Sequence, residues 1–146
     1  FTHTFGHTYR PEDLAAFLAE SYSLAWHAAL LADPLRVTWV AEAGDGLAGF
    51  GIAGPCKLPV VPLEPAAGEI QRLYLRDDWQ GQGVGTRLLE RLLADLAARG
   101  HAPVYVGVWA ENRGAQRLYA RHGFARVGEY FFPVGEHRDH EFILKR

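Results

Sequence analysis

The strongest periodicity in the chain lies between Val84 and Arg99. Val84, Leu88, Leu89, Leu92, Leu93 and Leu96 fall on one helical face, with Arg87, Glu90, Arg91, Asp95 and Arg99 mostly opposite; this predicts an amphipathic helix ended by Gly100 as a left-handed cap. Two further helical runs open the chain. Pro11 suits a first helical position, Glu12 and Asp13 favour its positive end, and Leu14, Phe17, Leu18 and Tyr22 make one stripe. A second run, from about Ser23 to Ala32, is stopped by Pro34, with Trp26, Leu30 and Leu31 as its apolar residues. Val37 to Ala41 and Leu47 to Ala53 read as strands of a hairpin around Ala43-Gly44-Asp45-Gly46. Pro55, Pro59, Pro62 and Pro65 then mark an irregular connection, which either borders a site or is a surface excursion without function.

Glu69 to Leu75 returns to a strand whose imperfect alternation suits a central strand covered on both faces and interrupted by a bulge. Val104 to Trp109 reads as a buried strand, and Asn112 can cap a helix carrying Ala115, Leu118 and Tyr119 and ended by Gly123. Phe124 to Phe132, a turn at Pro133-Val134-Gly135, and His140 to Leu144 complete the chain. The order is helix, helix, β, β, β, helix, β, helix, β, β. No internal repeat appears.

Composition narrows the class. At 146 residues the chain suits one domain, 1–146, and 49% hydrophobic with 22% charged residues is the balance of an ordered globular protein. A net charge of −2 and a pI near 6.4 give no global attraction to nucleic acid or to an anionic membrane. No uninterrupted apolar run approaches the ~20 residues that span a bilayer, and no signal-peptide pattern opens the chain, so the cytoplasm is the expected location. Cys56 is the single cysteine, which excludes an intrachain disulfide and a thiolate metal cluster; in its proline-rich loop it reads as an ordinary thiol. His3 and His7 lie four apart with nothing nearby to complete a metal site, and no metal is expected. The absence of methionine points to a fragment or a processed form.

The chemistry concentrates in Gln80-Gly81-Gln82-Gly83-Val84-Gly85, between the central strand and the long helix. Glycines let backbone N–H groups converge on an anion, and the following helix adds its free first-turn amides and the positive end of its dipole. Two phosphate loops do not fit. The spacing is G-x-G-x-G and not G-x-G-x-x-G, and Gly85-Thr86 lacks the lysine of a nucleotide-triphosphate loop. Gln80-x-x-Gly83-x-Gly85 after an Ile/Leu/Tyr-rich strand resembles the acetyl-coenzyme A pyrophosphate loop of the Gcn5-related N-acetyltransferase (GNAT) superfamily. Asn112-x-x-Ala115-x-x-x-Tyr119-x-x-x-Gly123-Phe124 is similar to its second signature.

The resemblance covers about Val37 to Arg146 and, more loosely, the first helices. It implies a single α/β (α+β) domain with a mixed, mostly antiparallel twisted sheet flanked by helices. The superfamily's usual first strand is missing here or lies upstream of Phe1, which would leave a sheet edge open. The resemblance implies acetyl-CoA as cofactor, held by Leu73, Tyr74 and Leu75 on the strand, by Gln80, Gly81, Gln82, Gly83, Val84, Gly85 and Thr86 in the loop, and by Asn112 and Ala115 beside the pantetheine arm. It also makes Tyr22, Trp26 and Trp109 candidates for the acceptor pocket. The expected activity is acetyl transfer to a primary amine, in the manner of bacterial members acting on small amines such as polyamines. A non-catalytic acyl-CoA sensor is the alternative, and a nucleotide-binding module is disfavoured by the missing lysine.

An alkylammonium, with a pKa near ~10, must lose a proton before attacking a thioester. Glu69 lies eleven residues before Gln80 among apolar neighbours, a spacing that matches the catalytic glutamate of the histone-acetylating members. Burial would raise its pKa and make it a better base. It reads equally as a strand-end carboxylate paired with Arg72 or with solvent. Tyr119 is the candidate acid, since a phenol near ~10 can protonate a departing thiolate whose thiol has a pKa near ~8.5. Glu136-His137-Arg138-Asp139-His140-Glu141 is expected to be a solvated hairpin, with a pocket-rim attraction for cations as its only functional use. Asp77 and Asp78 read as turn residues. Trp109, Tyr130, Phe131 and Phe132 read chiefly as core and interface, and the aromatic C-terminus leaves room for a homodimer.

Overall fold

The computed structural model describes residues 9–44, 46–134 and 137–146. His3, His7, Asp45, Gly135 and Glu136, singled out above, lie outside them. Helix α1, Pro11–Ser21, begins on the expected proline with Glu12 and Asp13 in its first turn. Helix α2, Leu24–Ala32, is capped by Ser23, whose hydroxyl accepts the Trp26 N–H at 3.1 Å. The stretch Pro11–Ala32 has a mean hydropathy of 1.2, long and apolar enough by composition to cross a membrane. It divides at Tyr22 and Ser23 into helices of 11 and 9 residues, each short of the ~20 that a span requires.

Strands β1, Val37–Ala43, β2, Gly46–Pro55, β3, Gly68–Leu75, β4, Val104–Trp109, β5, Ala125–Val134, and β6, His137–Lys145, form one sheet in the order β1-β2-β3-β4-β6-β5. All neighbours are antiparallel except β3 and β4. Helix α3, Val84–Ala98, follows β3, and helix α4, Arg113–Arg121, follows β4. The element order is the expected one, and β1 and β5 are the sheet edges. The C-terminal hairpin is longer than expected, because the ladder continues through Pro133 opposite Arg138 and Val134 opposite His137. Proline is tolerated there because β5 is an edge strand with no partner waiting for its N–H.

Leu89, Leu92 and Leu96 of α3 are fully buried against Ile70, Val104, Val106 and Leu144. Each such leucine contributes roughly 1.5–3 kcal/mol of hydrophobic stabilisation. Close approach of α3 to the sheet depends on Gly51, where a Cβ would stand 2.6 Å from Leu92 Cδ1.

Two irregularities in β3 shape everything that follows. Ile52 faces Arg72 while Ala53 faces Ile70, so Gln71 is an extra, bulged residue. The bulge changes the phase of the strand: Ile70 and Leu73 point to the α3 core, while Glu69, Arg72 and Tyr74 share the opposite face. Second, β3 pairs with β4 only at Gly68 with Val104 and Glu69 with Tyr105. Beyond Glu69 the strands diverge, β3 staying on β2 and β4 on β6. A wedge opens in the middle of the sheet.

Candidate active site

On one side of the wedge, β3 leads through a 3-10 turn, Asp77–Trp79, into the glycine loop and α3. Gly81 and Gly83 have φ values of 72° and 79°, the left-handed region that side-chain-bearing residues avoid. Open space surrounds both, so conformation and not clearance calls for glycine there. Gly85 has a different reason: it lies in α3, and a Cβ on it would stand 3.0 Å from Leu75 Cδ1. It permits close helix packing. Gln80 and Gln82 turn their side chains back, Nε2 of Gln80 donating to Asp77 Oδ1 at 3.0 Å and Nε2 of Gln82 to the Asp78 carbonyl at 2.6 Å. Their side chains therefore hold the turn in shape. Gly83 caps α3 without a side chain, so the first-turn amides of Val84, Gly85 and Thr86 have no capping acceptor. That N-terminus fits a pyrophosphate, through backbone N–H groups and the helix dipole.

On the other side, Asn112 caps α4 by accepting the Ala115 N–H on Oδ1 at 3.0 Å. Tyr119 follows two turns later, buried, its ring edge-on to Phe124 at 5.6 Å. Burial pushes the Tyr119 phenol well above its ordinary range, and the Glu141 charge adds to the shift. Tyr119 therefore stays protonated at neutral pH.

The wedge opens into a cavity of about 250 Å³. Tyr119, Asn112 and Ala115 line it from α4, Glu69, Arg72, Leu73 and Tyr74 from β3, and Trp109 from β4. Phe17 and Tyr22 close it from the α1 side, and Tyr130, Phe132, Asp139 and Glu141 from the C-terminal hairpin. Of the expected acceptor residues, Tyr22 and Trp109 thus reach it, and the Tyr22 and Tyr74 hydroxyls lie 3.3 Å apart. Trp26 instead lines a neighbouring cavity of about 190 Å³, with Arg36 and Lys57. Glu69 and Arg72 border both. The Arg72 guanidinium lies over Tyr22 at 4.4 Å and Trp26 at 4.2 Å, a cation–π arrangement, and its Nη2 donates to the Ser21 carbonyl at 3.3 Å.

Glu69 is buried and forms no ion pair with Arg72; it accepts the Lys57 N–H at 2.7 Å. Burial raises its pKa, while backbone hydrogen bonds from Lys57 and Leu58 work the other way. Cys56, half-buried, has its thiol pushed up to about 11 by burial, which leaves it protonated and unreactive at neutral pH.

The expectation of a solvated 136–141 hairpin fails for two of its residues. Asp139 is 5% exposed and accepts a hydrogen bond from the Tyr9 hydroxyl, with His137 Nε2 at 3.2 Å from its Oδ1. Glu141 points into the cavity, where burial pushes its pKa up to about 7, with Asp139 adding to the rise and the Tyr130 hydroxyl opposing it from 3.4 Å. Tyr130 and Phe132 likewise line the cavity, whereas Phe131 is exposed. The signal was present in the period of two: His137, Asp139, Glu141 and Ile143 share one face of β6, and Ile143 is core. Among the described residues, no three His, Cys, Asp or Glu side chains could hold a metal ion.

The candidate site is thus a strand that splays from its parallel neighbour beside an uncapped, glycine-led helix. Residues 3–124 match the model of the acetyltransferase (GNAT) family, and the chain belongs to that family. It is an acyltransferase that uses acetyl-CoA. It is 29% identical over all of its length to an uncharacterized N-acetyltransferase of Lactobacillus delbrueckii subsp. lactis, spanning 84% of that protein. An uncharacterized N-acetyltransferase of Mycobacterium tuberculosis is 29% identical over 93% of this chain and 83% of its own. Among solved structures, the PaiA N-acetyltransferase of Thermoplasma acidophilum in complex with coenzyme A shares the fold. Its TM-score is 0.75 at 19% identity, covering 99% of this chain and 84% of that one. The ribosomal-protein-S18-alanine N-acetyltransferase of Escherichia coli gives 0.66 at 23% identity over 84% of this chain and 75% of its own.

Proposed function

We propose that the protein acetylates a primary amine of a small, cationic acceptor such as a polyamine, by direct attack of the amine on the thioester, in the bacterial cytoplasm. The carrying observation is a wedge in the sheet that opens, between a buried tyrosine and buried carboxylates, into one cavity. Acetyl-CoA supplies an activated acyl carbon. The backbone amides at the start of α3 hold its pyrophosphate, Leu73 to Leu75 offer their unpaired edge to the pantetheine arm, and Asn112 and Ala115 border that arm from α4. Tyr119 gives its proton to the departing sulfur. Glu69 and Glu141 are the carboxylates within the cavity that can take a proton from the ammonium, Glu69 being the one that spacing along the chain selects. Glu69, Asp139 and Glu141 outnumber Arg72 there, which favours a cation as acceptor. The exposed Val127 and Phe131 on edge strand β5 suit a homodimer.

The test is thiol release from acetyl-CoA across polyamines, amino acids, aminoglycosides and peptides with free N-termini. Turnover is expected with polyamines above the other classes. Tight CoA binding, seen as a rise in melting temperature, with no turnover on any amine would overturn this reading in favour of a sensor.

A further inference from the structure

We infer that Glu141 on β6 is the catalytic base that takes the proton from the acceptor ammonium, and that Glu69 is a positioning residue that pins the 56–58 loop to β3. The inference rests on the N-acetyltransferase reading above. Both carboxylates line the cavity, but their surroundings differ. Glu69 sits at the last paired position of β3 and β4, at the closed end of the wedge. Its carboxylate accepts the Lys57 N–H at 2.7 Å, and the Leu58 amide also favours its charged form. Those bonds favour the charged, immobile carboxylate and draw on the lone pairs a base would use.

Glu141 is placed opposite Trp109, at the far end of β4 where the wedge is wide. Among the described residues, the one hydrogen bond to its carboxylate is a long contact, 3.4 Å, from the Tyr130 hydroxyl. The titratable and charged groups that share the cavity with it are Asp139 on its own strand, Tyr130 on β5, Tyr119 on α4, and Glu69, Arg72 and Tyr74 on β3. Its charge is felt by Tyr119, the proposed acid, and by Tyr130. An acid and a base that serve one acyl carbon must both lie within a few ångströms of it. Glu141, at the wide end of the wedge, shares the cavity with Tyr119.

The step balances as follows. Glu141 takes one proton from R–NH3+, and the neutral amine forms the C–N bond as the C–S bond breaks. Tyr119 gives its proton to the leaving sulfur and recovers the second proton from the new amide nitrogen. Glu141 then releases its proton to solvent.

The test is the pH dependence of kcat/KM for the best amine found, in the intact protein and in Glu141→Gln and Glu69→Gln, with CoA-induced thermal shifts confirming that each variant is folded. Because the base must be unprotonated, the intact protein should lose activity as the pH falls through about 7, the value burial gives Glu141. Glu141→Gln should fall by about a hundredfold or more at pH 7.5. Its remaining rate should climb roughly tenfold per pH unit toward the amine's own pKa near ~10, since only free amine then reacts. Glu69→Gln should keep the acidic limb near 7 whatever its rate. An acidic limb that persists in Glu141→Gln, or that vanishes in Glu69→Gln instead, would overturn the assignment. Loss of turnover that alkaline pH does not restore would also overturn it, by making Glu141 structural. No turnover in the intact protein with any amine would overturn the N-acetyltransferase reading beneath it.

Discussion

The two walls of the wedge are made in different ways. The cofactor wall comes from two short contiguous stretches, Gln80 to Thr86 and Asn112 to Tyr119, and works mainly through backbone amides, two left-handed glycines and one buried phenol. The acceptor wall is assembled from four separated segments: Phe17 and Tyr22, then Glu69, Arg72 and Tyr74, then Tyr130 and Phe132, then Asp139 and Glu141. It carries buried charge. A helix N-terminus binds an anion at little cost, because its amides are unsatisfied in any fold. Buried carboxylates oppose folding unless they are paired or protonated. The donor site is thus nearly neutral for stability, while the acceptor site is held together against a cost, and substitutions should separate the two.

The largest effect is expected at Tyr119, the buried phenol of the cofactor wall, which lines the same cavity as the acceptor wall. Tyr119→Phe keeps the ring that packs on Phe124 and removes only the hydroxyl. Turnover should fall roughly 10²–10⁴-fold, the range for loss of a general acid, while CoA affinity changes by no more than about threefold. Steady-state kinetics with a CoA titration measure both. A loss confined to CoA affinity, with kcat intact, would reassign Tyr119 to packing.

On the acceptor wall, the comparison predicts that removing charge stabilises. The folded pKa of Glu141, about 7, lies above the ordinary carboxylate value of 4.5. The folded state therefore binds its proton more tightly than the unfolded chain, and stability falls as pH rises from about 4.5 to about 7. Above pH 7 the full penalty, about 3 kcal/mol by order of magnitude, is in place. Glu141→Gln should then be more stable than the intact protein at pH 8, by up to that amount, and should match it near pH 4.5. Urea unfolding at the two pH values checks the sign. Equal stability at both would mean that Glu141 is effectively solvated and the acceptor wall carries no such cost.

What could be read from the chain follows the same division. The cofactor wall was legible because its geometry is local: Gly81 and Gly83 signal left-handed backbone, Asn112 signals a cap, and the leucines of α3 signal a face. The order of elements along the chain and the first helices were legible from period and punctuation. Of the acceptor wall, only Tyr22, Trp109, Glu69 and the presence of a bulge in β3 were legible, for two reasons. The bulge at Gln71 shifts Glu69, Arg72 and Tyr74 onto one face, although strict alternation puts Glu69 and Tyr74 on opposite faces. The charged run from His137 to Glu141 looks like solvated turn, because nothing local shows that α1 and β5 cover its Asp139 and Glu141 side. Trp26 misled in the opposite sense: as a neighbour of Tyr22 it looked like the same pocket, yet the break at Ser23 turns it to the far side of Arg72.

The smallest effect distinguishes two glycines within the cofactor wall. Gly83→Ala meets no steric obstruction but must hold a φ near 79°, at roughly 1–2 kcal/mol. Gly85→Ala has an ordinary helical backbone and meets Leu75 Cδ1 at 3.0 Å, which the leucine side chain can relieve by moving a few tenths of an ångström. If the left-handed turn is what aims the loop amides, Gly83→Ala should weaken CoA binding by about five- to thirtyfold, the equivalent of that strain. Gly85→Ala should instead shift melting temperature slightly with CoA affinity nearly retained. Isothermal titration with CoA on both variants decides it. Equal losses would mean that the loop is shaped by ligand and not by its glycines, and that the cofactor wall is less preformed than its backbone implies.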